Sequence, residues 1–396
     1  MIQNMKNSQQ SGSVSLFMVV FATLLITIVT VGFVKIMLQG QQQASATDLS
    51  QSAYDSAQAG VEDSKRAILR YKSLCDLAIS DVDCGIEYAK LNSPTCNLAV
   101  SMLDGRNLGD SEIAVQTGNK SLDQAYTCTK ISMETPNYMG NLAVDGSKMI
   151  PLIGSRPFKA VQIDWFSAKN LQNPSDSAEI PAFSANPQLP DVWDINKPSI
   201  IRAQVIQFNK SGFSVSDFDS NSSNALFLYP SNDTSGAAKR ASIALDIRPS
   251  PENGHSSEKT IKQVHCTGNL LNDLYACSVV IDLPVEISAD RAAYLNLASI
   301  YNSSDYSVKL LDSAGGAVGF KSVQPEIDST GRANNLFRRV VSRIELTDVD
   351  FPYPQAAVDV EYDFCKTFTI TNVAAGYSQG DCSPDTRTGV TDITNP

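Results

Sequence analysis

Residues 12–40 read GSVSLFMVVFATLLITIVTVGFVKIMLQG, and the nature of this stretch decides the fold and most of the function. From Val14 to Val34 no residue carries a charge, and only Ser15, Thr23, Thr27 and Thr30 are polar. At about 1.5 Å of rise per residue the run makes a helix of roughly 30 Å, the thickness of a bilayer core. A cleaved secretory signal has an apolar region of only about 7–15 residues. Ala44-Ser45-Ala46 is the A-x-A pattern that signal peptidase cuts, but it lies well beyond Lys35, where the apolar run ends. The stretch therefore reads as a retained membrane helix. Lys6 precedes it and Lys35 follows it, so flanking charge says little about orientation.

The residues that follow separate an anchor from something more. Between Lys35 and Tyr71 there is no proline, and alanine and long polar residues dominate. Leu49, Ala53, Ala57, Gly60, Val61, Ser64, Ile68 and Tyr71 recur at three- and four-residue spacing, which draws one narrow stripe of mostly small residues on a polar helix. The spacing predicts a single helix over 13–71, about 85 Å long, with Gly32 and Gly40 as the points where it can bend. A passive anchor needs no such extension.

The rest of the chain is acidic. A net charge of −11 excludes a nucleic-acid partner, which requires clustered Lys and Arg. The eight cysteines, Cys75, Cys84, Cys96, Cys128, Cys266, Cys277, Cys365 and Cys382, contain no CxxC spacing, so they do not suggest zinc or redox sites. Their local grouping suits short-range disulfides in an oxidising compartment. Cys266 is expected to pair with Cys277 and Cys365 with Cys382. Cys75, Cys84, Cys96 and Cys128 are expected to pair among themselves, in any of three connectivities.

The long helix resembles that of type IV pilins and pseudopilins, specifically the PilX-type minor pilins. In that family a short polar leader ends in glycine, an apolar helix follows, and an Ala-rich stretch of the form A-x-x-A-E-A-G comes next. Here residues 1–12 match the leader, with cleavage implied between Gly12 and Ser13, and the stretch Ser52–Glu62, SAYDSAQAGVE, matches the Ala-rich part around Gly60. A second echo, STGRANNLFRRVVSRI at residues 329–344, is similar to the late "TG…RRV" hairpin of minor pilins. The resemblance implies assembly with other pilin subunits, residence in the lipid bilayer before assembly, and processing by a prepilin peptidase. It also implies display of the head outside the cell, in pilus initiation or tip adhesion. Two positions depart from the pattern. Phe17 stands where most pilins carry a glutamate, and in related systems a subunit lacking that glutamate sits at the tip; in addition, no basic residue directly precedes Gly12.

Beyond Tyr71, residues 72–165 read as small helices and loops tied by disulfides, and 166–197 as a Pro/Asn-rich loop. Residues 198–396 read as an antiparallel β domain. Its candidate strands begin at Ser199, Ala225, Ala241, Ile261, Ala276, Ala293, Ser307, Val318, Phe337 and Ala356, many of them rich in β-branched and aromatic residues. The expected class is α+β, a long N-terminal helix on a large antiparallel head of sandwich or jelly-roll type.

The sequence carries no catalytic constellation. Its two histidines, His255 and His265, have no G-x-S-x-G nucleophile beside them. Asp217 and Asp219 begin a calcium-loop-like stretch that lacks the sixth-position glycine and the twelfth-position glutamate. The expectation is a non-enzyme without cofactor or metal, single-pass, with its C-terminal part outside the cytoplasm and free to meet a surface ligand. The alternative reading is a cell-surface binding protein whose helix is only an anchor.

Overall fold

The structure is a computed structural model, described here for residues 12–76, 81–104, 112–115, 123–173, 176–184, 193–211, 223–232, 242–244, 261–270 and 275–346. Helix α1 (Gly12–Asp76) runs 65 residues without interruption, a length of roughly 98 Å. It passes through Gly32 and Gly40 and continues five residues past the predicted end at Tyr71. Two short helices follow, α2 (Asp81–Leu91) and α3 (Ser101–Asp104).

The strands follow in chain order. The first five are β1 (Ile113–Ala114), β2 (Gln124–Thr135), β3 (Tyr138–Leu142), β4 (Ser147–Pro151) and β5 (Phe158–Trp165). Next come β6 (Ile200–Asn209), β7 (Ser223–Ser231), β8 (Ser242–Ala244), β9 (Ile261–His265) and β10 (Cys277–Ile287). The last are β11 (Arg291–Ile300), β12 (Ser304–Leu311), β13 (Ala317–Val318), β14 (Phe320–Ala333) and β15 (Leu336–Arg343).

The chain forms two compact units whose segments alternate along the sequence. The first is Met1–Glu134 with Gln324–Glu345, and the second is Thr135–Val323 with Leu346–Pro396. In the first unit α1 lies against a four-stranded sheet of order β1-β2-β14-β15. The β14–β15 hairpin pairs Glu326 with Arg343 through to Ala333 with Leu336. Its two-residue turn places Asn334 at φ +49°, a left-handed conformation that asparagine tolerates.

The second unit is a β-sandwich. One sheet has the order β13-β12-β5-β10-β8, with β3 also on β12, and the other has the order β4-β11-β6-β7-β9. Pairing is antiparallel except for β8 on β10 and β9 on β7. Side chains from both sheets, among them Val161, Ile163 and Trp165 of β5 and Ile201, Ala203 and Val205 of β6, form one buried core. The class is α+β, with one long helix and a large β-rich head.

The compact units do not follow the boundaries read from composition. Residues 72–165 do hold α2 and α3, but 124–165 carry four strands, β2 to β5. The reading of 72–165 as disulfide-tied helices and loops passed over the alternation in QAYTCTKISMET, whose side chains swing between buried and accessible. Positions 166 and 198 both fall within the second unit. Local composition records a Pro/Asn-rich loop, whereas the return of the chain to its first sheet at β14 depends on pairing across nearly two hundred residues. The expected strand from Ala356 lies outside the described residues.

Candidate functional site

The first half of α1 is apolar and bare. It is long and apolar enough to cross a membrane, and none of its most apolar window is buried. Leu16, Phe17, Phe21, Leu25, Ile28 and Phe33 are all exposed, Phe17 by 77%. Its threonines place no demand on the surroundings. Thr23 Oγ1 donates to the Val20 carbonyl at 2.9 Å and Thr30 Oγ1 to the Ile26 carbonyl at 2.7 Å, while Thr27 bonds the Thr23 carbonyl in the same way. In hydrocarbon, where no water can serve, this internal satisfaction is what a membrane helix needs.

The second half reverses the pattern. Ala53, Ala57, Val61, Ala67 and Ile68 are fully buried, and Ser52, Ser56 and Ser64 are buried beside them. Ser56 Oγ and Ser64 Oγ donate to the carbonyls of Ser52 and Gly60, each at 2.8 Å, so no hydroxyl is stranded. Small residues let the helix backbone approach the sheet closely. A Cβ on Gly60 would stand 2.7 Å from Thr129 Oγ1 and 3.1 Å from the Tyr126 ring, and one on Gly331 would stand 2.8 Å from Ala57 Cα. The two glycines meet the interface from opposite sides, one on the helix and one on β14.

Polar contacts fix the orientation of this docked half. Tyr126 Oη donates to Asp63 Oδ2 at 2.8 Å, and Arg338 Nε to Ser50 Oγ at 2.8 Å. Arg332 of β14 donates to Asp123 at 2.8 Å and Glu112 at 2.7 Å, and these two carboxylates raise its pKa above the ordinary guanidinium value. The stretch of β2 beyond β1 is occupied by the loop after α2. Asn97 Oδ1 accepts from the Thr129 N–H at 2.9 Å, and Asn92 Oδ1 from the Met133 N–H at 2.9 Å. Capping an otherwise open strand in this way removes a pairing edge.

The disulfides resolve the open connectivity. Cys75 pairs with Cys84, joining the end of α1 to α2, and Cys96 pairs with Cys128, fixing the capping loop to β2. Cys266 pairs with Cys277 as expected. The two strands this last bond joins do not form a hairpin, however. They meet at a single bridge and belong to different sheets. Such bonds indicate an oxidising, extracytoplasmic setting for the head. Cys365 and Cys382 lie outside the described residues, as do Asp217, Asp219 and His255. His265 is in β9, partly buried.

Gly12 and Ser13 are the first described residues of α1. Phe17 and Gly60 sit on the same helix, one on the bare half and one in the docked interface. Sequence reading missed Gly331, Tyr126 and Asp63 as interface residues. Gly331 was in plain view in the STGRANN stretch, since a lone glycine inside a strand often marks close backbone approach. No known protein family, characterised protein or solved structure matches the chain.

Proposed function

We propose that this chain is a minor type IV pilin-like structural subunit, held by its N-terminal helix and displaying a β-sandwich head in pilus assembly, initiation or tip adhesion. One observation carries the reading. A single unbroken helix presents bare apolar side chains over its first half and is sealed to a four-stranded sheet by Ala53, Ala57, Gly60 and Gly331 over its second. A passive anchor has no use for a lipid segment that runs unbroken into a helix sealed on a sheet. A subunit that must leave the bilayer and pack among other helices needs the sheet docked on its helix to move with the helix.

The partners of the first half are the lipid bilayer before assembly and the apolar helices of other pilin subunits afterwards. Prepilin peptidase is the processing partner, cutting between Gly12 and Ser13. Phe17 places no carboxylate where other subunits would offer an amino terminus, which suits a position at the filament tip.

Mass spectrometry of sheared surface filaments is expected to find this protein with Ser13 at its amino terminus. An intact Met1 on protein confined to the membrane overturns the reading, and an amino terminus at Thr47 shows a secretory signal instead. Phe17→Glu is expected to spread the subunit along the shaft. Unchanged placement removes the tip assignment.

A further inference from the structure

A cleft of about 380 Å³ lies at one end of the sandwich in the second unit. One wall comes from β4 and β11, where Pro151 pairs with Tyr294. The other comes from the start of β5 and the end of β10, where Phe158 pairs with Ile287. Main-chain bonds hold the walls in place. The Leu152 N–H donates to the Ala293 carbonyl and the Lys321 N–H to the Ile153 carbonyl, each at 2.9 Å. Gly154 belongs to the same wall, and a Cβ there would stand 2.9 Å from the Phe158 ring.

The chemistry of the lining runs against that of the chain. The protein has a net charge of −11, yet Arg156, Lys210, Arg291 and Lys321 line the cleft and none of its described lining residues is acidic. Two carboxylates stand near it. Asp312 holds Arg156 at 2.5 Å. Asp290 accepts from Ser288 Oγ at 2.5 Å. Lys210 Nζ donates to the Ala289 carbonyl at 3.0 Å, and the Ser288 hydroxyl, followed by the charges of Arg291 and Lys210, holds the Asp290 carboxyl below its ordinary value. Arg291 Nε is buried and makes no hydrogen bond. A buried donor on a charged group left without an acceptor is costly, and native structures rarely retain one without a use.

We propose that this cleft binds a small organic anion. The acid group would meet Arg291 and Lys210, and a compact ring or short apolar body would sit among Ile153, Phe158, Ile287 and Tyr294. The volume falls within the range of small-molecule sites, and a mostly apolar lining with a few convergent charges is their usual composition. A bare inorganic ion would leave the apolar wall unused. The proposal concerns the sandwich alone and stands whether or not the helix assembles into a filament.

Fluorine NMR on the full chain in lipid nanodiscs tests it with three probes: 4-fluorobenzoate, its neutral isostere 4-fluorobenzamide, and inorganic sulfate as a competitor. Saturable binding of 4-fluorobenzoate is expected, with the amide roughly tenfold weaker or worse, since loss of a charge-assisted contact is worth at least that much. Arg291→Gln should weaken 4-fluorobenzoate by a similar roughly tenfold factor, while Arg291→Lys retains much of the binding because the charge remains. Lys210 is exposed, so Lys210→Met keeps the question answerable if Arg291→Gln fails to fold, and it too should weaken the probe. Equal binding of acid and amide overturns the proposal, as does benzoate binding that survives both Arg291→Gln and Lys210→Met. Sulfate competing as strongly as benzoate overturns the organic-anion assignment.

Discussion

The two units are held together by opposite means. In the first, the helix–sheet interface is built from Ala53, Ala57, Gly60, Ser64 and Gly331, and its strength lies in how near two backbones come. In the second, the largest buried side chains of the sandwich, Trp165, Tyr138, Tyr306, Phe158 and Phe320, fill the space between and around two sheets. The first interface therefore fails when something is added and the second when something is removed. The difference follows from their tasks, since a long helix with little bulk on its docked face keeps contact only by lying close, whereas a sandwich needs volume between sheets about 10 Å apart.

The largest effect is expected from hollowing the sandwich. Ile163→Ala removes a fully buried side chain and should cost about 4 kcal/mol, the transfer free energy plus the cavity left behind. Calorimetry of the full chain in nanodiscs reads this loss. The position of residues 135–323 between the two segments of the first unit makes the consequence asymmetric. When the second unit melts, the ends of β2 and β14 in the first unit are joined by a loose loop of roughly 190 residues, whose closure costs the first unit about 4–5 kcal/mol. Ile163→Ala should thus lower protection from hydrogen exchange in both units. Loss confined to the sandwich would show that the first unit does not depend on the second to close its sheet.

The next effect comes from overfilling. Gly331→Val places new atoms against the Ala57 backbone, which cannot swing aside as a side chain would. It should cost the first unit about 3 kcal/mol by forcing the helix off the sheet, with the second unit little changed. If Gly331→Val is tolerated while Ile163→Ala is not, the helix is not held by close approach and the contrast between the units falls.

Glycine-to-alanine changes along α1 sharpen the same point with smaller effects of opposite sign. Gly60→Ala meets the Thr129 hydroxyl and the Tyr126 ring and should destabilise by about 1 kcal/mol even after the gain in helix propensity. Gly32→Ala and Gly40→Ala meet nothing within 4 Å, so each should stabilise the helix by up to about 1 kcal/mol. Helicity by circular dichroism and thermal midpoints distinguish the two outcomes.

How much of this was legible depended on the range of each interaction. The helix was readable because its causes are local: no proline after Lys35, an uncharged run, and a stripe at three- and four-residue spacing. That stripe already named Ala53, Ala57, Gly60, Val61 and Ser64, and the structure buries all five. Most strands from Ile200 onward were readable from alternation, but β2 to β5 fell in a stretch read as disulfide-tied helices and loops, although Cys128 is the one cysteine among them. The alternation of segments was not readable, because nothing near Thr135 or Gln324 records that β14 returns to the sheet containing β2. Nor was the cationic cleft, since Arg156, Lys210, Arg291 and Lys321 are scattered in sequence and converge only through the register of both sheets.

The smallest effect is electrostatic and belongs to the second unit. Asp312, which begins the tight turn between β12 and β13, accepts hydrogen bonds from Arg156 at 2.5 Å, from the Gly316 N–H at 2.7 Å and from the Ala314 N–H at 2.9 Å. The Arg156 guanidinium, and after it the Gly316 amide, hold its carboxyl below the ordinary value of 3.8. Because the folded pKa is depressed, the stabilisation is present above 3.8 and is lost as pH falls through the lower folded value. Asp312→Asn keeps an oxygen to accept the turn's N–H groups but gives up the charge. The gap in thermal midpoint between the parent and Asp312→Asn should be widest near about pH 7 and shrink as pH falls below about 3.8. Added salt should narrow it further, because the pair is open to solvent. A gap of equal size at both pH values would mean that the turn is held by its hydrogen bonds alone, with the charge on Asp312 contributing nothing to the sandwich.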